Sequence, residues 1–117
     1  MNLEKKLILN IKSSLEELNR EAYGERRHGN KELPPNLFHF KRYFENLFDA
    51  IYNLSRIEGQ KYITQEDIRS IYDVEREISG DLSYYIEAKK PFSEISEECY
   101  LKIIGSLSCI IEKIKNL

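Results

Sequence analysis

The strongest constraint on this fold lies between Pro34 and Gly59. Within that stretch Leu37, Phe40, Phe44, Leu47, Phe48, Ile51 and Leu54 recur three or four residues apart, which puts them on one side of a helix. Pro34-Pro35-Asn36 supplies a start: proline presets φ, and asparagine can cap the free amides of a first turn. Gly59 supplies a stop, because glycine accepts a left-handed turn without strain. The spacing predicts a helix from Leu37 to Glu58, roughly 33 Å long at 1.5 Å per residue. Its aromatic side is too large to stand in water, so the other segments must cover it.

Three further segments have the same period. Leu3, Leu7, Ile8, Ile11, Leu15, Leu18 and Ala22 form a stripe on a helix from about Leu3 to Ala22, with Lys5, Lys12, Glu16, Arg20 and Glu21 facing water. A third helix opens at Thr64, where Thr64-Gln65-Glu66-Asp67 is a capping box with Asp in place of the usual Glu or Gln. Its inner side is Ile68, Ile71, Val74, Ile78, Leu82, Tyr85 and Ile86. Lys89-Lys90 suit its negative end, and Pro91 stops it. A fourth helix starts near Ser93 or Ser96 and carries Tyr100, Ile103, Ile104, Leu107, Ile110, Ile111, Ile114 and Leu117 to the last residue. The stretch from Tyr23 to Asn36, punctuated by Gly24, Gly29, Pro34 and Pro35, reads as a loop. Together these predict one all-α domain over residues 1–117. Its form is an antiparallel up-down four-helix bundle with a long loop between helices 1 and 2. Three Pro and five Gly are too few for a turn-rich β architecture.

Eighteen basic against twenty acidic residues give a net charge of −2, so no global field favours nucleic acid or an anionic membrane. No window has the run of about 18 apolar residues that a membrane span needs. The apolar start of the chain is broken at Asn10 and Lys12, with no small-residue cleavage site beyond. Cys99 and Cys109, ten apart on the predicted fourth helix, cannot bridge each other. Both read as packing residues. Two unpaired thiols without an export signal point to the cytoplasm.

Motifs for chemistry are missing. Two His and two Cys lie at none of the short spacings of a zinc site, and no Glu-x-x-His pair is present. No Gly-x-Ser-x-Gly elbow occurs, and the glycines are too scattered for a phosphate loop. No metal, cofactor or catalytic residue is therefore expected, and the chain reads as a non-enzyme. His39 resembles the exposed histidine of histidine phosphotransfer domains, which are also four-helix bundles. Those domains have Lys three residues later and then a small residue, where this chain has Arg42 and Tyr43. The Arg-then-His signature of HEPN-type ribonucleases is likewise unmatched, since Arg20 and His28 stand too far apart. Glu75 falls in the sector of Ile71, Ile78 and Leu82, so it must reach the rim or find an Arg, Lys or Tyr partner.

Charge is unevenly spread. From Thr64 to Glu98 there are ten acids against four bases. Glu66, Ser70, Asp73, Glu77, Asp81 and Tyr84 form an outward stripe on helix 3. Asp73 and Glu77 repel at i, i+4, as do Glu77 and Asp81, a cost of a few tenths of a kcal/mol that stability alone does not justify. Glu94, Glu97 and Glu98 extend the acidity into helix 4. Carboxylates beside tyrosine suit a basic protein partner, because charge speeds the encounter and rings anchor it. The alternatives are a phosphotransfer or signalling bundle using His39, and an RNA-associated antitoxin or regulator gripping phosphate with Arg26, Arg27 and Lys31.

Arg26-Arg27-His28-Gly29 followed by Lys31-Glu32-Leu33-Pro34-Pro35-Asn36 resembles the basic, glycine-containing connection of colicin D-type immunity proteins. These are small all-α bacterial toxin-immunity proteins, like those of contact-dependent inhibition. The resemblance implies a cytoplasmic inhibitor that plugs a nuclease-type toxin, its acids standing in for RNA phosphates. The contact residues on that reading are Glu66, Asp73, Glu77, Asp81, Tyr84, Glu94, Glu97 and Glu98, with no direct nucleic-acid or membrane partner.

Overall fold

In a computed structural model, which describes residues 2–28 and 31–117, the chain is all-helical in its core. Five α-helices occur among the described residues: α1 (Leu3–Tyr23), α2 (Leu37–Ser55), α3 (Gln65–Ala88), α4 (Ser96–Ser106) and α5 (Ser108–Ile114), with a 3-10 turn at Phe92–Glu94. α1 packs on α2 and α4, and α3 on α4 and α2, so the first four helices close a ring. One apolar cluster fills it. Phe40, Phe48, Leu47, Ile51 and Leu54 of α2 are fully buried beside Ile11 and Leu18, Ile71 and Ile78, and Ile103 and Leu107. The Phe40 and Phe92 rings stand 5.0 Å apart, which seals the 3-10 turn onto α2.

The helix starts follow local chemistry. Asn36 Oδ1 accepts from the His39 amide at 3.0 Å. At α3 the Asp67 amide donates to Thr64 Oγ1 at 3.1 Å, and the Thr64 amide donates to Asp67 Oδ2 at 2.9 Å, which completes the capping box. Gly59 has a φ of 82°, in the left-handed region, although α2 itself stops at Ser55 and a turn covers the remainder.

Two departures from the sequence reading concern architecture. The predicted fourth helix is two helices, so the bundle has five rather than four. Gly105 and Ser106 precede the break, and the Ser106 hydroxyl donates to the Ile103 carbonyl at 2.9 Å, competing with the helix ladder. Leu107 stays buried at the joint, whereas Leu117, expected on the inner stripe, is exposed. The expected loop between helices 1 and 2 contains a two-stranded antiparallel hairpin, β1 (Arg26–His28) with β2 (Lys31–Leu33), in the register Arg26↔Leu33, Arg27↔Glu32, His28↔Lys31. Gly29 and Asn30 lie outside the described residues. α4 starts at Ser96, one of the two expected positions; Ser96 is buried, and its hydroxyl donates to the Ala22 carbonyl at 2.7 Å, fastening α4 to the end of α1. Among the described residues no helix is long and apolar enough to cross a membrane.

Candidate docking face on α3 and α4

Helical periodicity places the α3 carboxylates outward, as the stripe requires. Glu66, Asp73 and Glu77 are exposed, Asp81 is half-buried, and Tyr84 is 54% exposed. Glu66 and Asp81 stand fifteen positions apart on α3, roughly 22 Å of helix. The eight candidate residues therefore form a strip rather than one cluster. Its centre is where α4 crosses α3. There Lys102 Nζ reaches Glu77 Oε1 at 2.7 Å and Glu98 Oε1 at 3.3 Å. The bond to Glu77, reinforced by Glu98, holds the Lys102 ammonium well above the ordinary lysine range against a smaller opposing effect of burial. Asp81 borders the same spot, since its charge adds to burial in pushing the Cys99 thiol up to about 12.

Towards the C-terminal end of α3 the strip gains a second set. Tyr84 and Tyr85 meet edge to face at 5.8 Å, and Lys90 Nζ lies 5.1 Å from the Tyr84 ring centre. The Tyr85 hydroxyl donates to Glu94 Oε2 at 3.1 Å. Burial, then that bond, raises the Tyr85 phenol above its usual range. Glu97 also faces α1, where after burial it is the main cause of the raised Tyr23 phenol. The structure thus brings Glu77, Asp81 and Glu98 together and sets Glu94 beside Tyr85. It leaves Glu66 at the far end, and Glu97, on the edge of the α4 groove, also reaches Tyr23 of α1.

Two members of this face carried no weight in the sequence reading. Leu101 is 53% exposed and lines a shallow groove with Ser93, Glu94, Glu97, Glu98 and Lys102. It stands off the inner stripe of α4, which is the signal that marks it. Lys102 follows Glu98 by four residues, a spacing that favours pairing on a helix, and it neutralises part of the acidity that the stripe alone suggests.

Elsewhere the singled-out residues resolve as follows. Glu75 is half-buried, and the Tyr52 hydroxyl of α2 donates to its Oε1 at 2.7 Å. Burial and then that bond raise the Tyr52 phenol far above its usual range. A rim position and a tyrosine partner thus occur together. Glu21, expected in water, is buried instead: its side chain is 2% exposed, with Oε2 3.3 Å from Nδ1 of His39. Position decides this, because Glu21 falls in the same sector as the buried Ser14 and Leu18. Cys99 is buried as expected. Cys109, expected as a packing residue, is exposed in the first turn of α5, because it falls off the stripe of Leu107, Ile110 and Ile114. The side chains of Arg26, Arg27, His28 and Lys31 lie outside the described part of the structure.

Comparison of the chain with protein-family models, with curated proteins and with solved structures found no match.

Proposed function

We propose that this chain is a non-enzymatic inhibitor of a basic, nuclease-type bacterial toxin, acting in the cytoplasm by covering the toxin's active site. The observation that carries the reading is the strip of outward carboxylates on α3 and α4, interrupted by exposed Leu101 and Tyr84. Such a surface steers a cationic partner into place, and its apolar members supply the desolvated anchors that hold it. Lys102 has a defined part here: a partner lysine or arginine that displaces it from Glu77 or Glu98 meets a carboxylate already fixed in position. The resemblance of the Arg26–Asn36 segment to colicin D-type immunity proteins supports the same class of function.

The test is protection of growth. The chain is co-expressed with a basic nuclease-type toxin domain, taken from the adjacent gene where that gene encodes one, with and without Asp73→Lys and Asp81→Lys together. Protection by the wild type and its loss in the double variant support the proposal. Equal protection by both removes the acidic strip from it, and no protection by a folded wild type contradicts the inhibitor reading.

A further inference from the structure

From the seam between α1 and α2 we infer a binding site for a small neutral sugar, independently of the docking strip. The two helices run antiparallel, with Glu21 level with His39. The same register sets Ser14 level with Asn46, Asn10 with Ala50 and Leu7 with Asn53. Between those levels, over roughly 10 Å of helix, the seam opens into a cleft of about 370 Å³, a size that holds a small ligand. Each helix turns a polar edge to it: Asn10, Ser13 and Ser14 from α1, and Asn46, Asp49 and Asn53 from α2. Polar residues that serve only to join two helices bond across the seam. These do not. Asn10, Ser13, Ser14, Asn46 and Asp49 make no hydrogen bond or ion pair with any described residue, and Asn53 has only Arg56 of its own helix end. Ser14 carries the most weight, because it is 6% exposed and its unpartnered hydroxyl opens on the cleft. A buried hydroxyl is costly to leave unpaired, and a ligand seated in the cleft comes within its reach.

The lining selects the ligand. Among the described residues no lysine or arginine lines the cleft, and Asp49 is its one charge, so phosphates and carboxylates are disfavoured there. Asparagine amides and serine hydroxyls both donate and accept, while the Asp49 carboxylate only accepts. Neighbouring sugar hydroxyls, each able to donate and accept, match that set. Leu7 and Ala50, both buried, supply an apolar floor for the C–H face of the ring. Tyr43 adds an aromatic wall, with the Arg42 guanidinium 5.6 Å from its ring centre. This seam lies across the ring of helices from the meeting of α3 and α4, so a sugar held here leaves the acidic strip free.

The experiment titrates the full 15N-labelled chain with glucose, galactose, mannose and N-acetylglucosamine, and separately with triglycine, which offers peptide groups instead of hydroxyls. The expected result is that at least one sugar shifts the backbone signals of Ser14, Asn46 and Ala50 and the side-chain amides of Asn10 and Asn46 to saturation. Half-saturation at about 1–10 mM is expected of an open cleft that holds its ligand by a few hydrogen bonds. Asp49→Asn, at an exposed position, should weaken that sugar at least about fivefold by removing a charge-assisted acceptor, and Ser14→Ala by a similar factor. Glu45→Gln, on α2 but off the cleft, should leave it unchanged. If Ser14→Ala does not fold, Asp49→Asn decides alone. Shifts that stay linear in every sugar to about 100 mM, or that saturate elsewhere on the chain, would overturn the inference. So would an affinity that Asp49→Asn leaves untouched, or triglycine saturating the cleft where no sugar does.

Discussion

The seam between α1 and α2 and the face shared by α3 and α4 use the same functional group in opposite ways. At the seam the Glu21 carboxylate is withdrawn from water and spends its lone pairs inside the protein, in part on His39. On the other side Glu77 and Glu98 share one lysine and stay more than half exposed. Burial decides the role. A carboxylate without water is expensive to leave unpaired and so fixes geometry, whereas one in water is cheap to keep and open to a partner.

The largest test of this contrast is Glu21→Ala. It should cost about 2–4 kcal/mol, since the hydrogen bonds of a buried carboxylate are lost and a cavity opens. Asp73→Ala and Asp81→Ala, by urea melts under the same conditions, should stay within about 0.5 kcal/mol. Comparable losses at all three sites would erase the distinction. Next in size, Ser96→Ala strips the buried Ala22 carbonyl of its donor, and a loss of about 1–3 kcal/mol is expected. On the acidic side, Gly80→Ala should stabilise by about 1 kcal/mol, because a Cβ there meets nothing within 4 Å and the position is mid-helix. Smallest of all, Lys102→Met should shift stability by less than about 1 kcal/mol, as exposed pairs do. The same change should quicken association with a basic partner by uncovering Glu77 and Glu98.

The thiols sharpen the contrast through pH. Burial, then Asp81, pushes Cys99 up to about 12 from an ordinary 9.0. The folded state therefore holds that proton where the unfolded chain has lost it. Stability from the neutral thiol is complete below about pH 9 and declines as pH rises towards 12. Denaturation midpoints across that window should fall less steeply in Cys99→Ala than in the wild type. At pH 8 a thiol reagent should modify exposed Cys109 promptly and Cys99 only on unfolding.

Local signals made much of this structure legible. The α2 stripe, the Asn36 cap, the Thr64–Asp67 box and the left-handed Gly59 each follow from residue type and spacing, and the structure has all of them. The need of Glu75 for a partner could be read from its angle on the helix, though not that Tyr52 would meet it. Glu21 had the same angular signal, masked by the habit of placing a glutamate next to Arg20 in water. The α4–α5 break was written in Gly105-Ser106, but an unbroken apolar period ran across it. Gly29-Asn30 is a hairpin-favouring pair in sequence, but the residues beside it are few and charged and carry no alternating apolar signal. The pairing of Lys102 with Glu77 spans two helices, and only the fold could supply it.

The central claim concerns the acidic strip as a docking surface, and the association rate constant tests it most directly. The proposed partner, a basic nuclease-type toxin domain, is mixed with the wild-type chain by stopped flow at rising ionic strength, then with the Asp73→Lys, Asp81→Lys double variant. The prediction is a rate that falls steeply with salt in the wild type, and at least about tenfold slower binding in the variant at low salt. A rate that ignores salt and is the same for both chains would contradict it.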